Sequence, residues 1–204
     1  MKYQWRENLK GIKMTENEWT KSICVRLNEE LQSKSLFAET LRDLPYSQEI
    51  LHYKKNCEGD TWTAMYMDPI SFETDLVIYE EAEAVVKPRV VIEAKIQSVT
   101  THDAITYSYK AEKHKNITPY LRYGIMLGDR GKYPLPGRLF RHGTNFDFMF
   151  SFSGTEPTQD EWKSFMELIF NEVDYSRIME KMLHENRKKD RKRYYMLEKQ
   201  LVLK

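Results

Sequence analysis

The stretch "RVVIEAKI", residues 89–96, has the composition of a buried strand and yet contains two full charges among its apolar residues. Residues 90–92 are β-branched, which is typical of a strand inside a sheet. Glu93 and Lys95 stand two positions apart, so their side chains point to the same face of that strand. Such a pair indicates either a solvated face, on which the two charges pair with their neighbours, or a functional site.

A second segment with strand composition, "FETDLVIY" at residues 72–79, precedes the first and is joined to it by "EEAEAVVKP". In an antiparallel hairpin centred on Ala84, residues at equal distances before and after Ala84 lie opposite each other. Val77 then lies opposite Val91. On this register one face of the sheet is charged: Glu73, Asp75, Glu93 and Lys95. The opposite face is apolar: Phe72, Leu76, Ile78, Val90, Ile92 and Ala94. We therefore expect the apolar face to pack in the core.

Three acids beside one base indicate a metal site. Carboxylates held close together repel one another, which raises a pKa or requires a cation. Mg²⁺ binds hard oxygen ligands from one or two carboxylates and completes its coordination with water and substrate phosphate. Asp75 and Glu93, which are opposite each other on this register, are therefore the candidate metal ligands. Lys95 is the candidate group that orients an attacking water and offsets negative charge on a phosphoryl transition state.

Asp75, seventeen intervening residues and then Glu93-Ala94-Lys95 resemble the signature of the PD-(D/E)XK nuclease superfamily, which includes many restriction endonucleases and DNA-repair nucleases. The resemblance covers roughly residues 15–130. It implies an α/β (α+β) fold of the restriction-endonuclease-like type, in which helices flank a mixed central β-sheet, and it implies Mg²⁺ as the cofactor. Many members also place a Glu of the first helix at the site, and Glu30 is the position that matches it here.

The chain departs from the pattern of that superfamily at two places. Thr74 stands before Asp75, where proline is frequent. Asp103 and Tyr107 have the spacing of the Gln-x-x-x-Tyr helix of the exonuclease-like members, but the first residue differs. The predicted strand hairpin, more than the short motif, therefore supports the resemblance.

The remaining segments predict helices and strands on both sides of the hairpin. Thr15 and Glu18 have the spacing of a capping box before a helix with an apolar stripe: Trp19, Ile23, Leu27 and Leu31. Strands are predicted at "ILHYKK", "WTAMYM", "LRYGIML" and "FDFMFSF", and a helix at "HDAITYSYKAEKHK" with Thr101 as its N-cap. We expect a nuclease-like α/β core at 1–156 and a C-terminal helical region at 157–204.

Clusters of Lys and Arg are the candidates for contact with nucleic acid, because the formal net charge of the whole chain is only +1. The candidates lie on the helix after the motif and in the loop that follows residue 128: Lys110, Lys113, Arg130, Lys132, Arg138 and Arg141. A solvated helix face and an ordinary basic loop are the alternatives. The run "RKKDRKR", residues 187–193, either clamps phosphates of a DNA flank or links two solvated helices.

These features predict a Mg²⁺-dependent endonuclease acting on double-stranded DNA, of the type II restriction class. A homodimer is expected, because two active sites related by two-fold symmetry suit the cutting of two strands. The alternatives are a structure-specific DNA-repair or Holliday-junction nuclease, and a DNA-binding protein that has lost catalysis on the same fold. The chain has no long apolar run, no secretory signal and no metal-type spacing of its two cysteines, so we expect a cytoplasmic protein without membrane contact.

Overall fold

Four α-helices and seven strands make up the part of the chain that the computed structural model describes, residues 14–56, 59 and 61–185. The helices are α1 (Glu16–Leu31), α2 (Thr101–Ile117), α3 (Gly137–His142) and α4 (Gln159–Glu185), and a 3-10 turn (Gln32–Lys34) follows α1. The strands are β1 (Leu36–Ser47), β2 (Ile50–Lys55), β3 (Trp62–Tyr66), β4 (Ile70–Ala82), β5 (Val85–Ile96), β6 (Arg122–Gly128) and β7 (Phe148–Ser151).

Five of these strands form one mixed sheet in the order β1-β4-β5-β6-β7. The pairs β1–β4 and β4–β5 are antiparallel, whereas β5–β6 and β6–β7 are parallel. Helix α2 connects β5 to β6, because neighbouring parallel strands need a crossover connection. Strands β2 and β3 form a separate two-stranded sheet. The predicted fold class, α/β with a mixed central sheet flanked by helices and a C-terminal helix, is confirmed.

The hairpin of β4 and β5 has the predicted register next to the site. Val77 lies opposite Val91, and Leu76 lies opposite Ile92. The face expected to be apolar packs against α1 and α4 in the main core: Leu76, Ile78, Val90, Ile92 and Ala94 of the sheet, Trp19, Ile23, Leu27 and Leu31 of α1, and Trp162, Phe165, Ile169 and Val173 of α4. The stripe predicted for α1 is therefore buried as expected.

Phe72 does not lie on that face, contrary to the prediction. Its ring stacks on Tyr46 and lies edge-on to His114 of α2, so it belongs to the other side of the sheet. Strict alternation along β4 therefore fails at this end of the strand, close to the point where the pairing of β1 with β4 shifts by one residue, between Pro45 and Ser47.

Helix α2 covers the second face of the sheet. Val77 and Val91 pack there with Ala111 of α2 and with Tyr123 of β6. Glu93 is two residues after Val91 on the same strand, so it also projects toward α2. The charged residues of the motif consequently lie between the sheet and α2.

The helix ends differ from the prediction at one residue. Thr100, rather than Thr101, is the N-cap of α2, and Thr100 and Asp103 form a reciprocal capping box. Either threonine could cap a helix, and the carboxylate three residues later decides between them. Residues 186–204, which contain "RKKDRKR", lie outside the described residues, so their predicted helical structure stays a prediction. Within the described ranges, no helix has both the length and the apolar composition needed to span a bilayer.

Candidate functional site

Glu93 is the centre of the candidate site. Its side chain is fully buried on β5, where the Tyr123 hydroxyl donates to Oε1 and the Lys110 ammonium lies 2.9 Å from the same oxygen. The second oxygen, Oε2, is buried without a hydrogen-bond partner among the described residues. Burial raises the pKa of Glu93 to about 7, against the opposing charge of Lys110. The carboxylate is therefore poised to change its charge near neutral pH.

Asp75 lies beside Glu93, as the register predicted. Its Oδ2 accepts a hydrogen bond of 2.8 Å from the backbone N–H of Ala94, which fixes the carboxylate against β5. The charge of Asp75 is a further cause, after burial and Lys110, of the pKa shift of Glu93, and it acts to raise that pKa. Two acidic groups from neighbouring strands therefore converge at one place.

Lys95 is held at the same end of the sheet by an acid that was not among the predicted site residues. Its Nζ lies 2.7 Å from Oε1 of Glu16, the first residue of α1, and 5.4 Å from the ring centroid of Tyr107 on α2. Burial works against the charge on Lys95, but its hydrogen bonds with Glu16 and Tyr107 outweigh that effect and raise its pKa. The lysine is therefore a fixed cation.

Glu30, the predicted contribution of the first helix, does not reach this cluster. It lies at the C-terminal end of α1 and accepts a hydrogen bond from the indole N–H of Trp162 on α4. Glu16 and Glu30 are fourteen residues apart, which is about 21 Å along an α-helix. Because only the N-terminal end of α1 meets Lys95, Glu16 occupies the position that was predicted for Glu30.

Lys110 belongs to the cluster around Glu93. Besides its ion pair with Glu93, its Nζ donates to the backbone carbonyl of Glu73 at 2.8 Å, and its side chain is 13% exposed. The carbonyl of Glu73 thus faces the cluster, whereas the residue as a whole is exposed. Lys110 therefore balances the charge of Glu93, and its contact with a DNA backbone stays a prediction.

The other predicted DNA contacts divide into two groups. Arg130 and Arg138 hold the polypeptide, because they donate to the carbonyls of Pro134 and Val99 at 3.0 and 2.9 Å. The remaining three are better placed at the surface: Lys132 and Arg141 are exposed, and Lys113 is half-buried over the ring of Tyr109.

Four residues of the cluster were not predicted as its members: Glu16, Tyr107, Lys110 and Tyr123. A signal existed for Glu16, because at about 100° per residue it lies about 20° from Ile23, in line with the apolar stripe of α1, where it is half-buried. Tyr123 had no such signal. It reaches Glu93 because β5 and β6 pair in parallel, which places Tyr123 opposite Val91.

The donor set fits a hard divalent cation that keeps most of its water. Asp75 and Glu93 supply two carboxylates, and Oε2 of Glu93 is a buried acceptor without a protein donor among the described residues. Those residues contain no group of three or more His, Cys, Asp or Glu side chains arranged to hold a metal. Zn²⁺ in proteins takes three or four protein ligands, whereas Mg²⁺ is commonly bound through one or two carboxylates. The cluster therefore suits Mg²⁺ better than Zn²⁺.

A shallow surface depression borders Asp75 on the side of β1. Its lining comes from the first turns of α1, from β1 and from β4: Asn17, Thr20, Lys21, Thr40, Leu41 and Asp75. Asp75 thus lies next to a polar part of the surface that includes a lysine.

The fold and the cluster together define a mixed α/β protein with a buried carboxylate, a half-buried one and a fixed lysine at one end of its sheet. No protein-family model and no curated protein matches the chain. Among solved structures, the chain is similar to the pre-specific restriction endonuclease BsaWI in its complex with DNA, with a TM-score of 0.42 and 10% identity. The match covers 84% of this chain and 64%, less than two thirds, of the other. A likeness at that TM-score does not indicate a function.

Proposed function

We propose that this protein is a Mg²⁺-dependent endonuclease that hydrolyses phosphodiester bonds in double-stranded DNA, as type II restriction enzymes do. The observation that supports this most strongly is the buried carboxylate of Glu93, held between Tyr123 and Lys110 on a strand that neighbours Asp75. A protein that used this strand for packing alone would be more stable with an apolar residue in place of an acid that is buried without full hydrogen bonding.

Asp75 and Glu93 would hold the metal. Mg²⁺ bound there would supply Lewis-acid activation of the phosphate and of a bound water. Asp75 is fixed for this role by the backbone N–H of Ala94, and its second oxygen is left for the ion. Oε2 of Glu93 is the corresponding oxygen on β5.

Lys95 would orient the attacking water and offset the negative charge that develops on the phosphate. Glu16 keeps the ammonium charged and at the end of β5, so no reorganisation is needed when the transition state forms. The water oxygen bonds to phosphorus while the bond from phosphorus to the 3′ oxygen breaks. The products therefore have a 5′-phosphate and a 3′-hydroxyl.

Lys110 and Tyr123 would set the charge of Glu93. Burial alone would keep this carboxyl protonated well above neutral pH, and a protonated carboxyl is a poor ligand for Mg²⁺. The ammonium of Lys110 and the hydroxyl of Tyr123 both stabilise the ionised form. They act as positioning residues, because they work on the ligand and not on the substrate.

The substrate and the assembly are part of the proposal. The exposed cations Lys132, in the loop that follows β6, and Arg141, on α3, would contact the backbone of the duplex. A homodimer would present two sites related by a two-fold axis, one for each strand.

The test is incubation of the purified protein with supercoiled plasmid and with phage DNA in the presence of Mg²⁺. The wild-type protein should cut. The variants Lys95→Met and Asp75→Asn should cut at least about a thousandfold more slowly, because each removes a group that acts in the transition state. Glu30→Gln is the matched control and should cut like the wild type.

The products distinguish the alternatives. Discrete bands mean a sequence-specific enzyme, whereas a smear or a preference for branched substrates means a structure-directed nuclease. Binding of DNA without any cleavage means a protein without catalysis. The assignment of the site is wrong if either variant cuts at the wild-type rate.

A further inference from the structure

The two-stranded sheet of β2 and β3, which we name the ribbon (Ile50–Lys55 and Trp62–Tyr66), has no role in the site or in the core. Every residue of β2 is exposed, and both strands belong to a sheet separate from the central one. An isolated hairpin in water is at best marginally stable. The ribbon nevertheless exposes a series of large apolar side chains: Ile50, Leu51, Tyr53, Trp62 and Tyr66. Such a surface indicates a binding partner.

One face of the ribbon combines aromatic rings with a cation. Lys55 lies opposite Trp62, and Tyr53 lies two pairs further along, so the three side chains share a face. The Tyr53 and Trp62 rings have centroids 5.9 Å apart, and Nζ of Lys55 lies 6.0 Å from the Trp62 centroid. Lys54 lies on the opposite face, beside Lys55 in sequence.

Within the two strands of the ribbon the charged residues are lysines only, Lys54 and Lys55. Neither strand contains an Asp or a Glu, while together they contain two lysines and His52. Acids occur only outside the strands, at Glu49 and Asp68 before and after the ribbon and at Glu58 and Asp60 in the connecting residues. A second copy of the same ribbon would bring lysines toward lysines without an acid on either strand to pair with them.

The ribbon stands at the same end of the central sheet as the site. β1 leads into it and β4 leads out of it, and β4 contains Asp75. Because β5 is antiparallel to β4, the C-terminal end of β5 with Lys95 lies at the N-terminal end of β4, where the ribbon joins. Ile70, the first residue of β4, is five residues from Asp75, or about 16 Å along a strand. A polymer bound over the site therefore passes near the ribbon.

We propose that the ribbon is a second contact with the nucleic acid duplex that the site cleaves, an inference that rests on the proposed function. Lys54 and Lys55 contact backbone phosphates, and the Tyr53–Trp62 pair packs into the groove. A two-stranded β-ribbon has the width to enter the major groove of B-DNA. Exposed aromatic side chains can also make apolar contacts there, with the methyl group of thymine.

The experiment measures binding without cleavage, with a fluorescent 30-bp duplex in Ca²⁺ buffer. A variant with Lys54→Gln and Lys55→Gln should bind about tenfold more weakly, and the slope of log affinity against log salt should fall by about 2, one for each lost phosphate contact. Lys181→Gln is the matched control. Lys181 is exposed and follows Glu180 on α4, which pairs with Lys87 at the start of β5. Lys87 lies about 26 Å from Lys95 along β5, so the control is remote from the site.

Tryptophan fluorescence gives an independent readout of the aromatic face. Trp62 is 65% exposed, whereas Trp19 and Trp162 are buried, so iodide should quench Trp62 in preference to those two. Binding of the duplex should reduce the quenching of Trp62 fluorescence by iodide. This reduction should be absent in the variant Trp62→Phe.

Three results would overturn the proposal. Unchanged affinity and salt slope in the lysine variant, with cleavage intact, would show that the ribbon is not a DNA contact although the proposed function stands. Dissociation of a dimer in that variant during sedimentation, with the DNA affinity of the monomer unchanged, would make the ribbon a contact between copies. Absence of duplex binding by the wild-type protein would remove the ribbon and the nuclease together. Binding through the ribbon without any cleavage would instead contradict the proposed function alone.

Discussion

The substitution Glu93→Gln gives the clearest quantitative test of the site, because it removes a buried charge and keeps the shape. The pKa of Glu93 is about 7 in the folded protein and close to 4.5 in the unfolded chain. Between these values the folded state retains a proton that the unfolded state has released. The free energy of unfolding therefore falls as pH rises through this window and is constant above it.

The expected size follows from the two pKa values. A difference of this size corresponds to about 3 kcal/mol, since each tenfold change in a proton equilibrium is worth about 1.4 kcal/mol. The glutamine side chain of the variant does not titrate. The free energy of unfolding of the variant, relative to that of the wild type, should therefore rise by most of this difference between pH 5 and pH 8. Other titrating groups, such as the buried His114, are common to both proteins and cancel in the difference.

The assay is urea unfolding at pH 5, 6, 7 and 8 in the presence of EDTA, with Glu30→Gln as a control that replaces an exposed acid in the same way. Glu30 lies outside the cluster, where it accepts a hydrogen bond from Trp162. Addition of Mn²⁺ at pH 8 should stabilise the wild type and not the Glu93 variant, because the ion binds the ionised carboxylate. The reasoning is refuted if the difference in free energy of unfolding between Glu93→Gln and the wild type varies by less than about 0.5 kcal/mol from pH 5 to 8. A variation of that size is common among surface substitutions.

Three further outcomes are expected. Tyr123→Phe removes a donor that stabilises the ionised form of Glu93, so the acidic limb of the pH–rate profile should move upward by about 1 pH unit; an unmoved limb would contradict this. Gly128→Ala would bring a Cβ within 2.7 Å of the buried ring of Trp19, and urea unfolding should show a loss of about 1–3 kcal/mol, whereas a neutral result would mean that the ring can shift freely. Glu16→Gln removes the carboxylate that fixes the catalytic ammonium, so kcat should fall by about tenfold with KM little changed; an equal rise in KM would indicate a role in binding instead.

The sequence was sufficient for the hairpin because strand geometry is local. A side-chain period of two and one buried face exclude a one-residue slip of β4 against β5 next to the site, and Val77 lies opposite Val91 as predicted. The same reasoning brought Asp75 and Glu93 together. Its limits are the one-residue shift of the pairing between Ile78 and Tyr79 and the position of Phe72 on the side of α2, neither of which the alternation predicts.

The choice between Glu16 and Glu30 could not be made from the sequence. Both residues lie close to the apolar stripe of α1, and nothing in its periodicity tells which end of the helix meets the end of β5. That depends on how α1 packs across the sheet. The direction of Lys110 was hidden for the same reason, since a lysine on α2 can face solvent or turn toward a buried carboxylate, and here it contacts Glu93.

Direct titration of the protein with Mn²⁺ by calorimetry or electron paramagnetic resonance tests the central claim, that Asp75 and Glu93 share one divalent cation. The wild-type protein should bind one ion per chain at pH 8, and Asp75→Asn and Glu93→Gln should each weaken that binding by about tenfold or more, with Glu30→Gln unchanged. Equal affinity and stoichiometry in all four proteins would contradict the claim.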